Sequence, residues 1–231
     1  MKHVYFITGT DTNVGKTLVS CAFLQKARAQ NLTTLGLKPV AAGATQTAQG
    51  LRNSDAQALH ALTTEPLDYS QINPICLPQP IAPHLAAIEQ KTRISLDRLV
   101  GLVRGSLMSK ADFSVVEGAG GWRVPINERD FLSALPIELK MPVILVVGLR
   151  LGCINHAILT IEAIIRDGLP LAGWVANQLE PDLPEAAAII QTLNMRLNAR
   201  FLGHIPYLPT ADFNAAVEYI QLPFGANEEQ R

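Results

Sequence analysis

The stretch Thr8–Thr17, TGTDTNVGKT, decides the fold. An apolar run, Val4-Tyr5-Phe6-Ile7, stands directly before it, and an amphipathic helix follows from about Leu18 to Ala29. Strand, glycine-containing loop, Gly-Lys-Thr and helix, in that order, cradle phosphate. The backbone N–H groups of such a loop turn inward on an anion, and the helix N-terminus adds positive potential. Lys16 is placed to reach the β and γ phosphates of a nucleotide, and Thr17 to set its hydroxyl on Mg²⁺. The common spacing puts a glycine at position 10, where this chain has Thr10, with Gly9 one place earlier. The loop is therefore expected to take a variant path. A glycine-rich turn that binds nothing is the alternative, and the strand–loop–helix order speaks for the nucleotide.

Outward from this stretch, short β-branched runs alternate with helical periodicity, the pattern of a parallel sheet with helices on its faces. Strands are expected at about 3–8, 34–38, 113–117, 143–148, 171–177 and 200–205, with a weaker one at 72–77. Helices are expected near 17–29, 54–62, 95–110, 130–139, 154–167, 183–196 and 210–219. The continuously apolar Val143–Val147 reads as a central strand buried on both faces. The fold class is α/β, a mostly parallel central sheet of about seven strands with helices on both faces. With no repeat or Ser/Gly-rich linker, residues 1–224 read as one domain and 225–231 as a frayed tail.

Composition narrows the function. The 231 residues carry a net charge of -1, with no electrostatic footprint for nucleic acid or an anionic membrane. The three cysteines, Cys21, Cys76 and Cys153, are far apart and form no CxxC, which argues against a cysteine-only zinc site or a disulfide scaffold and fits a reducing cytoplasm. The N-terminal apolar run is too short for a signal peptide, and Pro142–Leu149 is far too short to span a bilayer. A soluble, cytoplasmic protein is expected.

In sheets of this kind ligands collect beyond the carboxyl ends of the strands. Lys38-Pro39 follows the second strand, and a residue before proline is held extended, so Lys38 should close that strand on the rim that holds Lys16. A snorkelling surface lysine is the competing reading. Asp55 opens a helix, where it is either a carboxylate favoured by the helix dipole or one facing Mg²⁺. Phe113–Val116 ends in Glu117 and Gly118-Ala119-Gly120-Gly121. An acid at that point suits a hard cation, and the glycines let backbone approach the ligand. Gly148–His156 begins another helix after a strand, a second anion-binding start suited to a carboxylate. Within it Cys153 reads as a small packed residue and His156 as a structural donor. Asn177 ends a strand as either a turn former or an amide able to pair with adenine. Pro206-Tyr207-Leu208 is placed to wall the base.

Taken together, Gly9–Thr17, Lys38-Pro39-Val40, Asn53-Ser54-Asp55, Val116–Trp122, Gly152–Ala157 and Ala172–Asn177 closely resemble dethiobiotin synthetase, a family of the P-loop NTPase type. The resemblance runs from about residue 4 to residue 208. It implies a homodimeric, Mg²⁺-dependent enzyme that uses ATP and CO₂ to close a cyclic urea on 7,8-diaminononanoate. Lys38 carries over as the catalytic lysine beside Lys16, and Thr17, Asp55 and Glu117 as the metal set. Thr12, Asn13, Val14, Gly15, Lys16, Thr17 and Leu18 carry over as nucleotide contacts. So do Gly118, Ala119 and Gly120, then Asn177 and Gln178 as adenine readers, with Pro206, Tyr207 and Leu208 beside them. Ala42, Gly152, Cys153, Ile154 and Asn155 carry over as substrate contacts, the last four reaching into the neighbouring subunit's site. The family commonly has Ser where this chain has Ala42, so weaker substrate binding with retained activity is expected. A partition-type switch ATPase of the same broad fold is the main rival. It usually carries a lysine early in the loop, where this chain has Asp11, and it needs a membrane-seeking helix, a basic surface or ligating cysteines. A cobyrinic-type amide synthase is a second rival, and a non-catalytic nucleotide module a third.

Overall fold

A computed structural model describes residues 2–210 and 212–224, and the tail expected at 225–231 lies outside the described residues. The β-branched runs become strands and the periodic stretches become helices. In chain order these are β1 (His3–Gly9), α1 (Lys16–Ala29), β2 (Thr34–Leu37), β3 (Val40–Ala41), β4 (Thr45–Thr47), β5 (Gly50–Arg52) and α2 (Ser54–Ala61). Then come α3 (Tyr69–Ile72), β6 (Ile75–Cys76), α4 (Pro83–Glu89), α5 (Leu96–Ser106), β7 (Phe113–Glu117), α6 (Ala134–Glu138) and β8 (Val143–Leu149). The last are α7 (Cys153–Arg166), β9 (Leu171–Gln178), α8 (Ala186–Arg196), β10 (Phe201–Ile205) and α9 (Phe213–Ala216), followed by a 3₁₀ turn at Val217–Tyr219.

The main sheet is parallel throughout, in the order β10-β9-β8-β1-β7-β2. β1 leads to β2 on one side and β8 leads to β9 on the other, so the crevice beyond β1 and β8 is a topological switch point. All seven residues of β8 are buried, as its unbroken apolar run requires. The pleat sends Phe6, Leu37 and Val116 into the core on one face of the sheet. It sends Ile7, Val115 and Ile144 to the other, against Phe23 and Leu24 of α1. A third apolar cluster joins Leu145, Val147 and Trp174 to α7 and α8.

The main sheet has six strands where about seven were expected. The weak segment at 72–77 pairs only over Ile75–Cys76, with Val40–Ala41, in a separate two-stranded sheet. Two prolines explain this. Pro39 turns the chain out of the main sheet just after β2, and Pro74 limits the partner strand to two residues. The β4–β5 hairpin, α3 and α4 were not foreseen; the two strands have three residues each and the helices four and seven, too few to show a period. Several expected helices are shorter, most clearly α6, which spans only Ala134–Glu138 of the expected 130–139.

Candidate active site

β1 ends at Gly9, and the chain then folds over itself before α1 begins. Asn13 (φ 59) and Gly15 (φ 92) adopt left-handed backbone, which Asn tolerates and Gly takes freely. The variant path expected from Gly9 is realised as a close approach. A Cβ at Gly9 would stand 2.5 Å from Val14 Cγ2 and 3.0 Å from the Asp11 carbonyl. Gly15 is the N-cap of α1 and has no capping side chain, so the first helical N–H groups are not taken by a cap. Beneath the loop, Asn177 Nδ2 donates to the Val14 carbonyl at 3.0 Å.

The loop forms one end of a cleft of about 810 Å³. Thr12, Asn13, Gly15, Lys16, Thr17 and Leu18 line it, together with Lys38, Ala42, Asp55, Glu117, Ala119 and Gly120. Side chains from three distant segments therefore converge. Lys38, one residue past β2, is only 4% exposed, and its Nζ donates to Glu117 Oε1 at 2.5 Å, to Asp55 Oδ2 at 3.0 Å and to the Gly118 carbonyl at 3.2 Å. Glu117 Oε1 also accepts from Thr17 Oγ1 at 2.8 Å. Asp55 arrives on the first turn of α2, which Asn53 caps by accepting from the Ala56 N–H. Both candidate roles of Asp55 and Lys38 left open by the sequence are thereby narrowed: each faces the cleft.

Burial works against the Lys38 charge, but Glu117 and then Asp55 outweigh it, and the ammonium titrates above its ordinary range. Lys16, 7% exposed, goes the other way. Burial first, and repulsion from Lys38 second, bring it down to about 8. Its Nζ donates to the Asp11 carbonyl at 2.9 Å.

Glu117 is fully buried, and its Oε2 has no hydrogen-bond partner. An orphaned buried carboxylate oxygen costs free energy unless a donor or cation meets it. Among the described residues no group of three or more His, Cys, Asp or Glu is placed to hold a metal. Two carboxylates and a hydroxyl beside a phosphate loop fit Mg²⁺, which takes one or two carboxylates and draws its other oxygens from phosphates and water.

The far walls of the cleft were not foreseen. Pro80, Ile81, Ala82 and Pro83 form one, and Arg123, Val124 and Pro125 the other. Pro78, Pro80 and Pro83 stiffen the first of these segments, but nothing in the sequence shows where it lands. Arg123 makes two bonds to Asp167, at 2.7 and 2.8 Å, and Trp122 Nε1 adds a third at 2.8 Å. Burial raises the Asp167 carboxyl, but these bonds prevail and hold it below the usual carboxylate range. The loop after β7 is thus pinned to the end of α7.

Other expected contacts lie outside the cleft lining. Val14 is buried in the core beneath the loop, and Gly118 offers its carbonyl to Lys38. Gln178 donates to the carbonyls of Glu180 and Pro181. Tyr207 is exposed, with Pro206 and Leu208 half-buried. Gly152 caps α7 at φ 90 with no side-chain cap, Leu151 and Asn155 are exposed, and Cys153 is packed in the core. Among the described residues no helix is long and apolar enough to cross a membrane.

Sheet order, left-handed glycine loop and buried lysine-carboxylate floor define a P-loop NTPase. A family model described as an AAA domain matches residues 3–215. Among solved structures, the septum site-determining protein MinD of Pyrococcus horikoshii, complexed with Mg-ADP, superposes with a TM-score of 0.57 at 16% identity, covering 94% of this chain and 86% of that one. Cobyrinic acid a,c-diamide synthase of Mycobacterium smegmatis, with bound ADP and magnesium, gives 0.54 at 12% identity, covering 94% and 92%. These likenesses speak for the fold. The ATP-dependent dethiobiotin synthetase BioD of Cellvibrio japonicus is 56% identical over 221 residues, 96% of either chain. That of Marinobacter nauticus is 50% identical over 212 residues, 91% of either chain. The chain belongs to the dethiobiotin synthetase family.

Proposed function

We propose that the chain closes the cyclic urea of dethiobiotin from 7,8-diaminononanoate, CO₂ and ATP, releasing ADP and phosphate. The observation that carries this is Lys38: one buried ammonium touches both Asp55 and Glu117 at the foot of the cleft that the phosphate loop opens. A nucleotide-binding module or a simple switch has no need of that cation, whereas a ligase that handles a carbamate does.

One substrate amine adds to CO₂ and gives up a proton, leaving a carbamate anion. A carbamate oxygen attacks the γ-phosphorus, and ADP leaves. The second amine then attacks the carbonyl of the carbamic-phosphoric anhydride, phosphate departs, and the ring closes with loss of a proton. Little of this is covalent work for the protein, so positioning and charge stabilisation dominate. Lys16 and the loop N–H groups from Asn13 to Leu18 hold the β and γ phosphates. In the free protein Lys38 is kept charged by its two carboxylates. It steadies the carbamate and the charge that gathers on the transferring group. Thr17, Asp55 and Glu117 would hold Mg²⁺, which supplies charge neutralisation along the phosphates. Gly118, Ala119 and Gly120 offer close backbone on the same side. Asn177 and Gln178, with Pro206–Leu208, form the adenine end; Asn177 sits directly under the loop through its bond to Val14. Ala42 lines the cleft without a hydroxyl, so substrate is held there by backbone or through water.

The start of α7, Gly152–Asn155, binds the substrate carboxylate of a second copy in a homodimer. Its exposure supports this: Leu151 is fully exposed, and nothing lies within 4 Å of the Cβ position of Gly152. The test combines the protein with ATP, Mg²⁺, bicarbonate and 7,8-diaminononanoate and follows ADP and ring-closed product together. Equal yields that require the diamine are expected. ADP release that ignores the diamine sinks the reading in favour of a switch.

A further inference from the structure

Lys38 has left the ladder of the main sheet, so its backbone groups need other partners. They find them at one place, the end of the short helix α3. The Lys38 N–H donates to the Ile72 carbonyl at 2.9 Å, and the Lys38 carbonyl accepts from Asn73 Nδ2 at 2.6 Å. Asn73 is itself 3% exposed, and its Oδ1 accepts from the Tyr69 hydroxyl at 3.1 Å. The same hydroxyl accepts from the Asn53 N–H at 2.8 Å. Asn53 in turn caps α2, the helix that presents Asp55, and its Nδ2 donates to the Ala42 carbonyl at 3.2 Å. Arg52 lies over the Tyr69 ring, 4.2 Å from its centroid, and fixes the ring plane.

We propose that Tyr69 and Asn73 are positioning residues whose hydrogen-bond relay, Ala42–Asn53–Tyr69–Asn73–Lys38, sets the spacing between the Lys38 ammonium, the Asp55 carboxylate and the Ala42 wall of the cleft. The proposal rests on the ligase reading of that cleft. The relay ties together Lys38, Ala42 and, through the α2 cap, Asp55, and all three line the cleft. Neither Tyr69 nor Asn73 lines the cleft, so neither acts on substrate directly. The Tyr69 hydroxyl has three partners, Asn73, Asn53 and, at 3.9 Å, Cys76 Sγ, where the thiol can act as donor. Tyr69 has a single proton, which goes to Asn73, while its oxygen takes the Asn53 N–H. Burial keeps the phenol protonated, pushed up to about 12. Such outer partners hold functional side chains at working geometry, and their loss is felt at the site rather than in the core.

Tyr69→Phe removes one oxygen and keeps the ring. It is expected to lower kcat by about tenfold or more and to raise the Mg²⁺ concentration for half-maximal activity, because Asp55 loosens with Asn53. ATP affinity without Mg²⁺ is expected to stay unchanged, since the phosphate loop does not touch the relay. Asn73→Ala should act in the same direction, and the double variant should cost no more than the worse single one, as members of one unit do. Calorimetric ATP titration with and without Mg²⁺ gives a readout that needs no diamine, so the relay is tested even if ring closure proves to be the wrong reaction. Unaltered kcat and unaltered Mg²⁺ dependence in Tyr69→Phe overturn the proposal. So does a parallel fall in kcat, metal-free ATP affinity and thermal midpoint, which is the mark of general loosening.

Discussion

The molecule contains the same local device twice. β1 leads through Gly15 into α1, and β8 leads through Gly152 into α7. Both glycines are N-caps in the left-handed region, at φ 92 and φ 90, and neither helix has a capping side chain or an acid in its first turn. Their surroundings differ. The Gly15 start is enclosed by its own chain: Asn177 stands where a Cβ would go, and Lys16 is buried. The Gly152 start is open, with Leu151 and Asn155 in solvent. Under the proposed function, the enclosed start is a nucleotide site completed within one chain, and the open start is one half of a site shared with a second copy. The difference teaches that a motif states what backbone can bind, while the fold states whether the binder is finished within one chain. The two starts are also tied together, since Arg150 Nη2 meets Asp11 Oδ2 at 2.5 Å across the gap between them.

The sharpest way to break the contrast is at the finished site. Lys38→Ala should lower kcat by on the order of 100- to 1,000-fold while sparing ATP binding. Product formation and ATP calorimetry check this, and full activity would refute the assigned role. Because the change leaves buried Glu117 without its cation, Lys38→Gln is the companion that keeps a donor.

Mixed dimers sharpen the half site. A Lys38→Ala chain paired with an Asn155→Ala chain keeps one site with both residues intact, so activity absent from either parent should reappear. No rescue in confirmed mixed dimers would rule out a site shared between subunits. Next in size is the pair of glycines. Gly15→Ala combines left-handed strain of about 1–2 kcal/mol with a collision at Asn177, and should lower the thermal midpoint and abolish nucleotide binding. Gly152→Ala meets nothing within its own chain and should leave ATP affinity intact.

The smallest effect is on pH. Lys16 titrates at about 8 in the free protein, and a polyphosphate beside it must raise that value. Nucleotide binding should therefore take up a proton above pH about 8 and weaken, by at most about tenfold per pH unit, as pH rises from there toward the raised value. Calorimetry in buffers of different ionisation heat measures the uptake. Binding that releases protons in that window would contradict the assignment.

Much of this was legible beforehand. β1, β7 and β8 were readable because a buried parallel strand writes itself as a β-branched run, and Thr8–Thr17 because its special residues are contiguous. The strand at 72–77 misled because apolar content does not reveal which partner a segment finds once prolines divert the chain. The Pro80–Pro83 and Arg123–Pro125 walls were invisible for a related reason: neither carries a periodic or chemical signature, and only their landing place makes them part of the site.

By itself the sequence determined the alternation of strand and helix, the phosphate loop and the presence of an acid at the end of one strand and a lysine just beyond another. These depend on φ/ψ preference, periodicity and neighbours in the chain. Only the tertiary structure decided that Lys38 and Glu117, 79 residues apart, meet at 2.5 Å with Asp55 alongside, and that Asn73, itself bonded by Tyr69, donates to the Lys38 carbonyl. Local preferences are set by a few adjacent bonds. A buried ion cluster is set by how several elements settle against one core, and no short stretch of residues carries that information.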